Sequence, residues 1–309
     1  MPQDAFAPAK VNLFLHIGPV AGDGYHPICS LMVFADLGDR LVLTRGGGPA
    51  LSIDGPFGEG LTADAGNLVA RARAAVLTLA QIDLPPFELA VTKRLPLASG
   101  LGGGSSDAAA ALRLIDGALN LNLGAEALAK MAESLGADVP ACLAARPVVA
   151  WGRGQRLEAA PPMPALPAVL VNPGVAAPTA EIFAIFDRLE ARDGRLDPDL
   201  PRAFETPGEV AQFLLGCSND LEPAALARDS VIGEVLTLLG EHSETLLARL
   251  SGSGATCFAL CATDNGAGRL AARLRELRPG WWIEPCQLGG PWTGSRDAGA
   301  PSPAAKAGL

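Results

Sequence analysis

Apolar and polar positions alternate along this chain in short blocks of two different periods. Residues 11–17 (VNLFLHI) alternate imperfectly and predict a buried strand. Residues 31–37 and 40–44 predict two more strands, with Gly38-Asp39 as a tight turn between them. The alanine-rich stretch 67–81 predicts a helix, and 87–93 a strand. A second alanine-rich helix follows over 106–119, where Leu112, Ile115 and Leu119 share a face, and a third over 125–135. Beyond the Pro-rich segment 160–167, strands are predicted at 169–172, 246–250, 256–262 and 281–286. Helices are predicted at 179–190, 221–228, 230–240 and 264–277. Mixed periods without regular strand–helix–strand alternation predict an α+β fold.

Composition narrows the function. The 309 residues carry 24 Lys and Arg against 33 Asp and Glu, a net charge of −9. That balance argues against a nucleic-acid partner, which needs basic patches to displace counterions. No apolar run approaches the ~18–20 residues of a membrane span, and the first ten residues lack the basic and apolar regions of a signal peptide. A cytoplasmic protein without a membrane partner is expected. The six Cys form no C-x-x-C pair, so buried free thiols are predicted rather than a zinc site or disulfides. Length suggests about two domains. From residue 289 onward, 15 of 21 residues are Gly, Pro, Ala or Ser, and this tail is expected to be mobile.

The chemistry concentrates in residues 95–111, LPLASGLGGGSSDAAAA. A predicted strand ends just before it, Pro96 sets a turn, and four glycines (Gly100, Gly102, Gly103, Gly104) fall within five residues. Ser105, Ser106 and Asp107 then offer capping groups to a helix. Such a loop brings backbone N–H groups and a helix N-terminus to bear on an anion, so phosphate is the expected ligand. The spacing is neither that of the Walker loop nor the dinucleotide fingerprint. A second Gly-Ser run, LSGSGAT at 250–256, reads alone as a plain turn. As a partner to the first, it would close over the phosphates.

These runs, together with APAKVNLFL at 7–15, DGYH at 23–26, LGADVP at 135–140 and SNDLE at 218–222, resemble the motifs of the GHMP kinase family, in the same order. The resemblance implies an ATP-binding domain over 1–158, like domain 2 of ribosomal protein S5. It implies a ferredoxin-like substrate domain over 159–288, leaving 289–309 as a low-complexity tail. DGYH combined with LGADVP implies transfer of the ATP γ-phosphate to the 2-hydroxyl of CDP-methylerythritol, a step toward isoprenoid precursors.

The same resemblance implies roles for single residues. Asp138 is the base that takes the hydroxyl proton, a service worth ~10²–10⁴ in rate. Lys10 offsets charge on the moving phosphoryl group. Asn12 holds the sugar alcohol. Tyr25 and His26 take the cytosine, by stacking and by hydrogen bonding, with Thr179 and Phe183 on its other side. Pro96, Gly100, Gly102, Gly103, Gly104, Ser105, Ser106 and Asn67 hold ATP, with Ser106 also on Mg²⁺; Lys93 lies near the adenine or the substrate. Pro27 and Cys29 depart from the pattern and are expected to reshape the cytidine pocket. His16, alternating with apolar neighbours, reads as structural. Three alternatives stay open: a homoserine- or mevalonate-type kinase, a nucleotide sensor without turnover, and, from the S5-like fold alone, an RNA-binding module that the charge disfavours.

Overall fold

The structure, a computed structural model, describes residues 3–22, 24–80, 86–189 and 196–292. In chain order the first half contains β1 (Gln3–Ile17), β2 (Ile28–Arg45), β3 (Leu51–Asp54), α1 (Leu68–Ala80) and β4 (Phe87–Thr92). It continues through α2 (Gly103–Leu119), α3 (Ala125–Leu135), α4 (Val139–Ala144), β5 (Val148–Gly152) and β6 (Arg156–Ala159). The second half contains β7 (Leu166–Asn172), α5 (Thr179–Phe186), α6 (Pro207–Leu214), α7 (Glu222–Arg228) and α8 (Val231–Gly240). It ends with β8 (Thr245–Leu250), β9 (Cys257–Cys261), α9 (Asp264–Leu277) and β10 (Trp282–Gly289).

The predicted α+β class holds, and the two halves differ in topology. In the first half, β1 pairs antiparallel with β2, while β3 and β4 pair in parallel across the α1 crossover. The second half has the strand order β10-β7-β9-β8, all antiparallel. Renumbered within that half this is 4-1-3-2, with helices between strands one and two and between three and four: the ferredoxin-like arrangement. β10 also pairs with β2 through Leu288 and Gly289, so one sheet runs through both halves.

The Gly38-Asp39 turn is not formed. β2 runs straight through it from Ile28 to Arg45. The glycine serves close approach instead: a Cβ at Gly38 would come within 2.1 Å of the Ala7 carbonyl on β1. The sequence reading also omits β3, α4, the β5–β6 hairpin and α6. The cue for α6 is a Thr-Pro start, with the Thr206 hydroxyl accepting from Glu209 N–H at 3.2 Å.

α2 is the central helix. Ala108, Ala109, Ala110 and Ala111 are all fully buried, because the helix packs against β1 and β2 on one side and α1 and α4 on others. Only small side chains fit such crowding. Five of the six Cys are buried free thiols, as the sequence suggested; Cys217 is also a free thiol but is only half-buried. Burial pushes the Cys29 thiol up to about 12. The start of the expected mobile tail is tied down: Trp292 Nε1 donates to the Phe34 carbonyl at 2.8 Å. Residues 293–309 lie outside the described residues. Among those described, no helix is long and apolar enough to cross a membrane.

Candidate active site

A cleft of about 1320 Å³ opens between the two halves. That exceeds the ~300–1,000 Å³ typical of a single small-ligand pocket. One wall is the phosphate loop. Gly102 adopts φ +63° at the N-cap of α2, and a Cβ there would lie 3.0 Å from Lys10 Cε. Glycine at this position lets the loop backbone close on the lysine.

The second Gly-Ser run does meet the first. Ser251 Oγ donates to the Gly100 carbonyl at 3.1 Å, and Thr256 N–H donates to the Ser99 carbonyl at 3.0 Å. A Cβ at Gly100, with φ +76°, would fall 2.2 Å from the Ser251 carbonyl oxygen, so no other residue fits there. Asn219 of the SNDLE motif steadies this loop, donating at 2.8 Å to both the Leu250 and Gly252 carbonyls.

Lys10 and Asp138 face each other beside Gly102. Lys10 Nζ lies 3.2 Å from Asp138 Oδ2 and donates to Asn12 Oδ1 at 2.8 Å. Asn12 in turn donates to Ser30 Oγ at 2.7 Å, which fixes its amide orientation. Lys10 is 5% exposed at the side chain and Asp138 37%, so the lysine is held while the carboxylate is open to a ligand. Asp138 stands at the N-cap of α4, and its side chain makes no capping bond. The carboxylate is thus left to the cleft.

Lys93 sits deeper than the sequence implies. Its ammonium donates to Asp107 Oδ2 at 2.6 Å and to Asp39 Oδ2, all three residues being buried. Asp39 Oδ1 accepts from Arg94 N–H at 2.5 Å and Leu95 N–H at 2.9 Å, where the phosphate loop begins. Burial, then the neighbouring charge of Asp39, pushes the Asp107 carboxyl well above the usual carboxylate range. Burial alone would depress the Lys93 ammonium, but the charges and hydrogen bonds of Asp107 and Asp39 outweigh it and raise it. Lys93 still lines the cleft floor, with its Nζ 3.4 Å from where a Gly103 Cβ would stand.

At the far end, Tyr25, His26, Thr179 and Phe183 come together on the cleft wall. Tyr25 is 57% exposed, an aromatic face presented to solvent. Thr179 Oγ1 meets Ser253 Oγ at 3.1 Å. The His26 ring edge is already taken: Nδ1 meets the Gly18 carbonyl at 2.7 Å and Nε2 meets Asp187 Oδ1 at 2.7 Å. Phe183 and Phe186 pack around it, with ring centroids 6.0 Å and 5.4 Å away. In this arrangement the imidazole ties the Tyr25 loop to α5 instead of offering its edge to a base. Asp23 of the DGYH motif lies outside the described residues.

Four expectations need correction. Ser106 is fully buried and its hydroxyl donates to the Pro8 carbonyl at 2.7 Å; the cleft wall carries Ser105 instead. Asn67 is off the cleft wall and caps α1, its Oδ1 accepting from Val69 N–H at 2.9 Å and its Nδ2 donating to the Thr62 carbonyl at 3.1 Å. Pro27 and Cys29 do not line the cleft, and Cys29 is in the core of β2. The sequence reading also misses Arg153, Gln155 and Asp187, which do line it, as does Ser253 of the second Gly-Ser run. His16 is structural as expected, its Nε2 accepting from Ser218 N–H at 3.3 Å.

Residues 67–146 match the model of the GHMP kinases N terminal domain, and residues 202–279 that of the GHMP kinases C terminal. The 4-diphosphocytidyl-2-C-methyl-D-erythritol kinase of Caulobacter sp. (strain K31) is 51% identical over 94% of this chain and 100% of its own length. The enzyme of that name from Mesorhizobium japonicum is 44% identical over 90% of this chain and 92% of its own. A crystal structure of 4-(cytidine 5'-diphospho)-2C-methyl-D-erythritol kinase matches with TM-score 0.73 and 31% identity, covering 94% of this chain and all of that one. A homoserine kinase from Cytophaga hutchinsonii shares the fold, at TM-score 0.65 and 20% identity, covering 95% of this chain and 96% of that one. The Gly-rich loop at the start of α2, the Lys10–Asp138 pair beside it and these full-length likenesses lead to one conclusion: the chain belongs to the GHMP kinase family of ATP-dependent small-molecule kinases.

Proposed function

We propose that this kinase transfers the ATP γ-phosphate to the 2-hydroxyl of 4-diphosphocytidyl-2-C-methyl-D-erythritol. The observation that carries the reading is the placement of the Lys10–Asp138 pair, 3.2 Å apart, between a phosphate loop and an aromatic wall in one cleft. Residues 1–158 hold ATP and residues 159–288 complete the acceptor site.

Phosphoryl transfer asks the protein mainly for positioning and charge stabilisation. Asp138 orients the acceptor hydroxyl and accepts its proton as the new P–O bond forms. Lys10 balances the charge gathering on the transferred group. Loop N–H groups at the α2 N-terminus hold the remaining phosphate oxygens. Magnesium takes oxygen donors and is usually bound through one or two carboxylates plus substrate phosphates. The cleft wall fits that habit: the Ser105 hydroxyl and the Glu133 carboxylate are available to it, whereas no cluster of three acids stands ready among the described residues. When bound, the ion neutralises charge on the triphosphate. Tyr25 and Phe183 supply the faces that take a pyrimidine.

ADP release from ATP and magnesium, measured in parallel with CDP-methylerythritol, homoserine and mevalonate, tests the reading. Turnover with the cytidine compound at least ~10²-fold above the other two is expected, because a site built around a missing group rejects such analogues strongly. Equal or greater release with homoserine or mevalonate overturns it. ATP binding without any release makes the protein a sensor.

A further inference from the structure

We propose that Arg113 is a positioning residue for the reaction: it holds the C-terminal end of α4 against α2 and so sets Asp138 relative to the phosphate loop. This rests on the reading of Asp138 as the base.

Asp138 opens a helix that needs outside support. α4 has six residues, Val139–Ala144, and helices so short are unstable by themselves. The Asp138 carbonyl accepts from Cys142 N–H at 3.0 Å, which closes the first turn. The last carbonyls of a helix have no partners within it. Here the Arg113 guanidinium takes two of them: Nη1 donates to the Cys142 carbonyl at 3.0 Å and to the Leu143 carbonyl at 2.9 Å. Among the described residues no carboxylate pairs with Arg113, and burial depresses its guanidinium from the ordinary arginine value. A cation taken out of water without a counter-ion is costly. The carbonyl end of α4, with its partial negative charge, is what offsets that cost.

Arg113 belongs to the helix that begins at the phosphate loop. It stands about 15 Å along the axis of α2 from Gly103, at ~1.5 Å per residue. α2 therefore meets the base at two points. At its start, a Cβ on Gly102 would lie 3.9 Å from Asp138 Oδ2. Further along, Arg113 holds Cys142, whose own N–H holds the Asp138 backbone. Ser106, near the start of α2, donates to the Pro8 carbonyl on the strand that carries Lys10. One helix thus fixes the loop, the lysine and the base in a single frame. Phosphoryl transfer is sensitive to that frame, because a displacement of ~1 Å can cost ~10² in rate.

The test measures steady-state turnover of CDP-methylerythritol by wild type, Arg113→Met and Arg113→Lys, each with Asp138 intact and with Asp138→Asn. Methionine keeps the apolar stem and removes the donors; lysine keeps a charged donor on a shorter reach. With Asp138 intact, kcat of Arg113→Met is expected to fall ~10–100-fold, while the KM values for ATP and acceptor stay within about twofold of wild type. Arg113→Lys falls between. In the Asp138→Asn background the same Arg113→Met change costs less than about twofold, because residues that act as a unit are not additive. A merely structural role, or a smaller folded fraction, lowers activity by one factor in both backgrounds and overturns the proposal. So does an undiminished kcat in Arg113→Met, or a loss confined to the KM values. If Arg113→Met does not fold, Arg113→Lys carries the test, with a ~3–10-fold loss expected beside Asp138 and none beside Asn. If wild type turns over and Asp138→Asn matches it, the base reading fails and this proposal falls with it. If Asp138→Asn is impaired and Arg113→Met is not, the base reading stands and this proposal alone is wrong.

Discussion

Two ion clusters flank the same phosphate loop, and water reaches only one of them. Lys10 and Asp138 meet at the cleft, with the carboxylate 37% exposed. Asp39, Lys93 and Asp107 have side chains no more than 5% exposed, underneath the loop. The chemistry of the groups is the same and their surroundings divide the labour. A carboxylate that a ligand can reach is free to exchange a proton with it. Carboxylates sealed around one ammonium are committed to holding backbone, here Arg94 and Leu95 at the loop entrance and the first turns of α2. Breaking such a buried set leaves an uncompensated charge, whereas the cleft pair loses less when its exposed carboxylate is the partner changed.

That contrast is open to direct attack. Lys93→Met strands two carboxylates in the interior and is expected to cost about 3–5 kcal/mol of stability. Urea unfolding of the variant checks it; a loss under about 1 kcal/mol would mean the cluster holds nothing. Tyr25→Ala, at the exposed end of the cleft, should leave stability nearly unchanged while weakening acceptor binding by about 1–3 kcal/mol, the usual worth of a base stacked on an aromatic ring. The acceptor KM set against the unfolding midpoint separates the two effects, and a lower midpoint with an unchanged KM would break the comparison.

The smallest expected effect concerns pH. Asp107 keeps its proton to higher pH in the folded chain, by burial and by the charge of Asp39, than in the unfolded chain, where Asp titrates near ~3.9. Its contribution to stability is full below that value and is lost as pH rises toward the folded one. Lys93, raised in the folded chain, loses its contribution only above the ordinary lysine value of ~10.4, outside this window. Asp107→Asn removes the titration but keeps the shape. Its stability should fall less steeply than wild type as pH rises above the carboxylate range. Parallel slopes in urea titrations at several pH values would show that Asp107 does not titrate in this way.

The same contrast explains what the chain disclosed in one dimension. The phosphate loop was legible because its requirements are local: glycines for the backbone, a serine cap and a following helix within ten residues. Asp138 and Lys10 were legible only through the motifs around them, since 128 positions separate the two. The buried cluster was not legible. Asp39 and Lys93 are 54 residues apart, and Gly38-Asp39 carries a turn signal that the close approach of β1 overrides. Arg153 was missed as a cleft residue because its hairpin is short and the ring it stacks on, Tyr25, is far away in sequence. Ser106 was misplaced by one residue of helical rotation, which sends its hydroxyl to Pro8 and leaves Ser105 on the cleft wall.

The division of labour between the clusters is tested most directly by the turnover number of Asp138→Asn with ATP, magnesium and CDP-methylerythritol, read beside its unfolding midpoint. A fall of ~10² or more in kcat with a midpoint within about 2 °C of wild type is the predicted result, because the proposed base is lost while Asp138 is the exposed member of its pair and Lys10 keeps its bond to Asn12. Undiminished turnover, or a loss of activity matched by a loss of folded protein, would contradict it.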